Sequence, residues 1–343
     1  MKIYPNILAD KHLQFRLGYV LISGTNGKTT TSKLISHILT ESGMKVVNNR
    51  TGANLMNGIV SEILLSSKVD IGVFEVDENN LPLILNFISL NVLVLLNLSR
   101  DQLDRYGEID IIFEKWLKAV ADLDASTELV LDETQDYFKR LAKAFPGEET
   151  WFGNDPTYAR HTKLVGEFNV KNINAAVYTA QLVGVEEKEI LKALRTFDSA
   201  YGRGEEVPYD GKNIKIFLAK NPASFNNNLK SIISGEIHGD CLFLILNDRI
   251  PDGRDVSWIY DVEPELLRQA CAGKKLYVSG DRCWNMAARL KYAGVDIRKE
   301  DVFIKLSQAL QKFKQEKHKN MIALPNYSAM LDLRKILVGR KIL

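Results

Sequence analysis

The sequence predicts an α/β protein of two domains, each built on a mainly parallel sheet. Three observations carry this. Short apolar runs alternate with amphipathic, helix-periodic stretches along the chain. A glycine loop, GTNGKTTT, stands between the first apolar run and the first helical stretch. A polar, glycine-rich stretch at 198–212 divides one strand–helix series from the next.

In order, 19–23 reads as a strand. Residues 28–42 carry Leu34, Ile35, Ile38 and Leu39 at helical spacing, and Gly43 stands where a C-cap belongs. Residues 45–48, 71–76 and 92–96 read as further buried strands with helical segments between them, and helices follow at 172–182 and 187–196. Strands alternating with helices imply right-handed crossovers and a parallel sheet. Residues 198–212 read as a linker, which puts the first domain at 1–200, with a short arm at 1–18, and the second at 201–343. The second domain offers strands at 214–219, 242–247, 276–279 and 321–324. Its helices are expected at 224–233, 264–272, 283–293, 302–317 and 328–338.

Composition excludes several classes. Of 343 residues, 45% are hydrophobic and 26% charged, an ordinary globular balance. The net charge of +2 and the lack of a basic block give nucleic acid no obvious footing. No run reaches the roughly 18 apolar residues of a membrane helix, and the N-terminus lacks signal-peptide character. Cys241, Cys271 and Cys283 are too dispersed for a disulfide framework or a zinc site, so they read as reduced cytosolic thiols and no zinc is expected.

The glycine loop carries the sharpest chemistry. Gly24 and Gly27 allow a tight turn in which several backbone amides can face one anion. The helix that follows adds its N-terminal dipole. Lys28 can reach the β- and γ-phosphates, Thr29 is placed to ligate Mg²⁺, and Thr30 continues the loop into the helix. The spacing departs from the usual Walker pattern, because Ile22 stands five residues before Gly27. The segment GVFEVDE, 72–78, closes a later strand on the same sheet edge, where open α/β sheets bind ligands. Glu75 is the preferred Mg²⁺ ligand, with Asp77 and Glu78 as alternates.

These motifs form a series. GTNGKTTT, EVDE, NLSRDQLDRYGEID (97–110), GEFNVKNINAA (166–176), Gly202–Arg203 and KNP (220–222) resemble the Mur ligase superfamily in order and spacing. In the second domain, LAKNPASFNNNL (218–229), LNDRIPDGRDVSWIYD (246–261) and ALPNYSAM (323–330) resemble the MurT-like ligase subunits of lipid II isoglutaminyl synthase. The resemblance implies a Mur-type central P-loop ATPase domain followed by a smaller Rossmann-like domain. It implies a cytoplasmic carbon–nitrogen ligase that uses ATP and Mg²⁺ to convert the α-carboxylate of D-glutamate in the lipid II stem peptide to an acyl phosphate. Ammonia from a GatD-like glutamine amidotransferase, in a heterodimer, then gives D-isoglutamine. The alternative is a Mur-type ligase acting on another carboxylate.

The resemblance also assigns roles. Gly24, Thr25, Asn26, Gly27, Lys28, Thr29 and Thr30 fall on the family's ATP loop, and Glu75 on its magnesium glutamate. Asn169 falls on the HN-type nucleotide motif, with Phe168 in place of the histidine; Asn172 reads as a helix-start residue. Arg203 falls on the family's interdomain arginine that meets the phosphates. Asp255 falls on the aspartate that completes a Cys–His pair supplied by the amidotransferase, the lesser alternative being a turn- or helix-capping carboxylate before Val256.

Several family features are replaced. Asp101–Gln102 stands for the DH pair, Leu117 for the carbamylated lysine (Lys115 and Lys118 flank it), and Phe217 and Lys220 for an aspartate and a histidine. MurT-like chains share most of these losses. They differ in carrying a four-cysteine zinc ribbon, for which the short, cysteine-free stretch 151–166 has no room. The five histidines show no ligand spacing, and Trp258 and Tyr260 suit either core packing or a partner. Lys312, Lys314, Lys317 and Lys319 suit a solvated helix end, or a peripheral contact with an anionic membrane.

Overall fold

The computed structural model describes residues 15–49, 53–66, 68–88, 90–98, 109–198 and 202–339. Asp101–Gln102 and most of the N-terminal arm lie outside the described residues. The described chain falls into two compact units that divide between residues 198 and 202.

The first unit is a six-stranded sheet in the order β2-β3-β1-β4-β5-β6, with every pairing parallel. The strands are β1 Tyr19–Ser23, β2 Val46–Asn48, β3 Ile71–Val76, β4 Leu90–Leu95, β5 Glu128–Asp132 and β6 Glu149–Phe152. The central strands are buried on both faces, which is why they read as continuous apolar runs and not as alternating ones. Helices α1 Lys28–Glu41, α2 Met56–Leu65, α3 Leu81–Leu85, α4 Ile109–Ala121, α5 Phe138–Ala144, α6 Glu167–Leu182 and α7 Glu187–Thr196 complete the unit. On one face, Leu34, Ile35, Ile38 and Leu39 of α1 pack with Ile173, Val177 and Ala180 of α6 and Ile190 of α7, over Val20, Ile22 and Val94 of the sheet. Each such fully buried aliphatic side chain contributes about 1.5–3 kcal/mol relative to its exposed state.

The second unit is also six-stranded, in the order β11-β10-β9-β12-β8-β7. Its strands are β7 Arg203–Tyr209, β8 Lys212–Phe217, β9 Cys241–Ile245, β10 Lys275–Ser279, β11 Val302–Phe303 and β12 Asn320–Pro325. All pairings are parallel except β7 with β8. Helices α8 Pro222–Ile233, α9 Pro264–Cys271, α10 Cys283–Tyr292, α11 Leu306–Gln315 and α12 Tyr327–Val338 connect or follow the strands.

Three expectations need correction. The expected linker at 198–212 contains β7, an antiparallel edge strand whose polar residues and Pro208 are those an edge tolerates and a central strand does not. The helix expected at 172 begins at Glu167, behind Gly166 at φ 97°, so Asn172 is an interior helix residue. The helix expected over 302–317 is two elements, β11 and α11, because Val302 and Phe303 pair with Val278 and Ser279. Strands β5 and β6 were also absent from the sequence reading, and they supply one side of the sheet.

Candidate active site

The glycine loop leaves the C-terminal end of β1 between the ends of its two neighbours. Ser23 is in register with Val76 of β3 and with Leu95 of β4. The side chain of Ser23 donates to Val76 O at 2.9 Å, tying the two strand ends together. On the other side, Asn97 grips the loop. Thr25 N donates to Asn97 O at 2.9 Å, Asn26 N to Asn97 Oδ1 at 3.0 Å, and Asn97 Nδ2 donates back to Asn26 O at 2.9 Å.

This fit demands glycine at two places. A Cβ on Gly24 would lie 2.9 Å from both the backbone N and O of Asn97. Gly27, at φ 93°, is the N-cap of α1, and a Cβ there would lie 2.3 Å from Asn172 Oδ1. No side chain caps the start of α1. The first amides of a helix point out of its N-terminus, where an anion can accept from them.

Lys28 is buried and folds back on the loop. Its Nζ donates to Gly24 O, lies 3.5 Å from Thr25 O, and forms an ion pair with Glu78 Oε2 at 3.0 Å. Thr29 is half-buried, whereas Thr30 is buried.

The three carboxylates at the end of β3 fall into different surroundings. Glu78 is the partner of Lys28, and its backbone oxygen accepts from Trp116 Nε1 at 2.9 Å. Asp77 organises the turn: its Oδ1 accepts from Asn79 N and Asn80 Nδ2, both at 3.1 Å. Glu75 is 4% exposed, and its Oε2 is buried without a hydrogen-bond partner among the described residues. A buried polar oxygen without a partner is costly to hold, so such an atom beside a phosphate loop fits a cation ligand. No group of three or more His, Cys, Asp or Glu among the described residues could hold a metal by itself. That suits Mg²⁺, which keeps its waters and binds through one or two protein oxygens plus substrate phosphates.

Two asparagines complete the site, and the sequence reading missed what they do. Asn49, at the end of β2, pairs with both backbone groups of Glu75: Glu75 N donates to Oδ1 at 3.0 Å, and Nδ2 donates to Glu75 O at 2.8 Å. The side chain thus acts as a further rung of the sheet and fixes the strand position from which the glutamate projects. Asn172, not Asn169, meets the glycine loop directly. Its Oδ1 lies 3.4 Å from Thr31 Oγ1, and its Nδ2 donates to Asn169 Oδ1 at 3.2 Å. Asn169 in turn closes the helix start through Val165 O at 2.6 Å. Neither contact is visible in a local pattern, because the partners are far apart in the chain.

In the second unit, Asp255 is exposed and its Oδ1 accepts from Ser257 N at 2.8 Å. That backbone hydrogen bond, followed by the Ser257 hydroxyl, holds the Asp255 carboxyl below the usual carboxylate range. The loop carrying it is anchored from within. Asp252 is buried, and Ser328 donates to it through both N, at 2.8 Å, and Oγ. Asn247 Nδ2 donates to Ser328 Oγ at 3.1 Å, and Asn326 Nδ2 donates to Asn247 O at 2.7 Å. Burial raises the Asp252 carboxyl above its usual value, and the Ser328 contacts partly offset this. Arg203 opens β7, half-buried. Lys115, Leu117 and Lys118 lie on α4, and Lys115 Nζ donates to Asn79 Oδ1 at 2.9 Å. A cavity of about 510 Å³ in the second unit is lined by residues that include Lys275, Asp301 and Arg298. Asp301 pairs with Lys275 at 2.5 Å and with Arg298 at 2.9 Å, so these charges compensate each other.

Comparison with known proteins agrees with this geometry. Residues 22–155 match the Mur ligase middle domain, and residues 218–330 match the MurT ligase C-terminal domain. The MurT subunit of lipid II isoglutaminyl synthase (glutamine-hydrolyzing) from Staphylococcus aureus strain COL is 29% identical over 385 aligned residues, covering 92% of this chain and 86% of the relative. The corresponding subunit from Streptococcus pneumoniae R6 is 27% identical over 396 residues, covering 94% and 88%. The aligned lengths exceed the 343 residues of this chain, so both relatives carry insertions that it lacks. A crystal structure of MurF from Acinetobacter baumannii shares the fold, with a TM-score of 0.75 at 15% identity over 98% of this chain and 78% of that one. A Mur ligase middle domain and a MurT ligase C-terminal domain are thus matched in order along one chain, which is MurT-like over more than nine-tenths of its length.

Proposed function

We propose that this chain is the ligase subunit of an enzyme that amidates the α-carboxylate of D-glutamate in the lipid II stem peptide. The observation that carries the reading is the match of the second half to the MurT C-terminal domain, combined with a phosphate loop whose lysine and glutamate are both in place. A carboxylate oxygen attacks the γ-phosphorus of ATP, ADP leaves, and an acyl phosphate forms. Ammonia then attacks the acyl carbon, inorganic phosphate departs, and the nitrogen loses a proton to give the amide.

The residues present fit this chemistry. The amide of Gly27 and those at the start of α1 would cradle the phosphates, while Asn97 holds the turn through the Thr25 and Asn26 amides, and Lys28 would bind the β- and γ-oxygens. Thr29 and Glu75 would hold Mg²⁺, which neutralises charge on the transferring group. Asn172 supports the loop from α6, and Asn169 supports Asn172.

Ammonia is expected from a GatD-like amidotransferase partner. Asp255, exposed and held in its ionised form by Ser257, would orient the histidine of that partner's Cys–His pair. The test combines the protein with Mg²⁺-ATP and lipid II, with either ammonium chloride or glutamine plus the amidotransferase. The expected result is ADP release together with the small mass decrease of a hydroxyl-to-amino exchange. ATP binding without a mass change would transfer the reading to a different carboxylate acceptor.

A further inference from the structure

The carboxylates of Glu75 and Glu78 stand three positions apart, and both are 4% exposed. Among the described residues, only Glu78 of the two is matched by a cation, Lys28 at 3.0 Å. The matched acid is also the one on a rigid mount. Glu78 O is held by Trp116 of α4, the preceding Asp77 pins Asn79 and Asn80, and Asn79 is held by Lys115. Asp77 N donates to Asn54 O at 2.9 Å, which fixes the turn from its other side. The backbone that carries Glu78 is therefore held in place, while Lys28 sits on a flexible four-carbon stem. In the structure that stem is turned back, with Nζ on Gly24 O as well as on Glu78.

We propose that Glu78 is a positioning residue that holds Lys28 in the nucleotide-free loop and sets the affinity for nucleoside triphosphate by competing with the phosphates for the ammonium group. The inference rests on the reading of the loop as an ATP site. A triphosphate entering the loop offers Lys28 new anionic oxygens, and the ammonium must give up its bond to Glu78 to take them. The pair has two benefits for the empty protein. It compensates the charge of the buried ammonium, and it ties the loop to the end of β3 before ligand arrives. Its consequence is a lower affinity than the loop would have without it. Of the two glutamates, Glu78 is thereby assigned to the lysine and Glu75, with Thr29, to the metal.

The experiment measures binding of the non-hydrolysable analogue AMP-PNP with Mg²⁺ to the full chain by calorimetry, for wild type, Glu78→Gln, Lys28→Met and the double variant. Glutamine keeps an acceptor for Lys28 but removes the opposite charge, so the ion pair is reduced to a hydrogen bond in which only the donor is charged. Glu78→Gln is expected to bind the analogue about tenfold more tightly. In the Lys28→Met background the same change is expected to lose that gain, because the lysine carries it. Unchanged or weaker binding by a folded Glu78→Gln, or a gain that persists in full without Lys28, would overturn the proposal. If Glu78→Gln does not fold, Glu78→Asp withdraws the carboxylate by one methylene and is expected to shift affinity in the same direction by less; an unchanged or weaker affinity there overturns it equally. Absence of nucleotide binding by the wild type would instead refute the ATP reading itself, so the two failures are distinguishable.

Discussion

Glu75→Gln separates a ligand-binding carboxylate from a structural one. Glu75 is 4% exposed, and its Oε2 has no hydrogen-bond partner among the described residues. Its backbone, in contrast, is fully engaged by Asn49, so the substitution leaves the strand position untouched. An unsatisfied buried acceptor costs about 1–3 kcal/mol. Removing the charge while keeping the shape should recover the lower part of that range, about 1 kcal/mol. For a unit of this size that corresponds to a Tm higher by about 2–4 °C. The assay is a thermal melt of wild type and variant in EDTA without nucleotide, repeated with Mg²⁺ and AMP-PNP, alongside ATP turnover. The variant is expected to melt higher when empty, to gain less on adding Mg²⁺ and nucleotide, and to lose turnover. A variant that melts lower when empty, yet gains as much from ligand, would show that Glu75 is an internal anchor and would refute the reasoning from its orphaned oxygen.

Other outcomes follow from the same contacts. Lys28→Ala is expected to abolish ATP turnover and also to lower stability by about 3 kcal/mol, because it strands the buried Glu78 charge; a melt run beside the turnover assay checks both. Asp255→Asn is expected to spare amidation driven by ammonium and to lose amidation driven by glutamine. Asparagine still accepts from Ser257 N, so the turn survives, and a variant that retains the glutamine-driven reaction would remove Asp255 from the partner's chemistry. Asn172→Ala is expected to weaken nucleotide binding with little loss of helix content, read by calorimetry and circular dichroism, since it frees the glycine loop from α6. Asp252 gives a pH dependence. Burial raises its pKa in the folded state, so its contribution to stability is full below the unfolded value of about 3.9 and falls as pH rises through the raised value. Denaturant titrations at acid and neutral pH are expected to show that loss in wild type and not in Asp252→Asn.

The glycine loop was legible because its function is written in consecutive residues. A strand, two glycines, a lysine and two hydroxyls need no tertiary information to be read as an anion cradle. What supports the loop was not legible. Asn97 reaches it from 71 residues away, Glu78 from 50 and Asn172 from 141. These distances are closed by strand order, and no local pattern states that β3 and β4 flank β1. The same cause explains how the three acids of EVDE separate. Read along the chain they are equivalent carboxylates at a strand end. Read in the fold, one holds a turn, one holds the lysine and one is left with an orphaned oxygen. The edge strand β7 escaped notice for a different reason. It has no buried face on its outer side to impose an apolar run, and only its pairing with β8 makes it a strand.

The second unit shows the reverse case, where strings that looked independent prove to be one physical object. The segments 246–261 and 323–330 were singled out separately, each as an unusual string. In the structure Asn247 and Asp252 from the first meet Asn326 and Ser328 from the second in a buried hydrogen-bond network at the ends of β9 and β12. Each member satisfies another, so removing one leaves a buried donor or acceptor without a partner, and the loss exceeds that of a single bond. The network ends three residues before Asp255, and the carboxylate beyond it is exposed while the loop that presents it is anchored at Asp252. That combination, a rigid buried mount for an ionised surface group, is what an aspartate needs if it is to complete a constellation whose other members belong to a different chain.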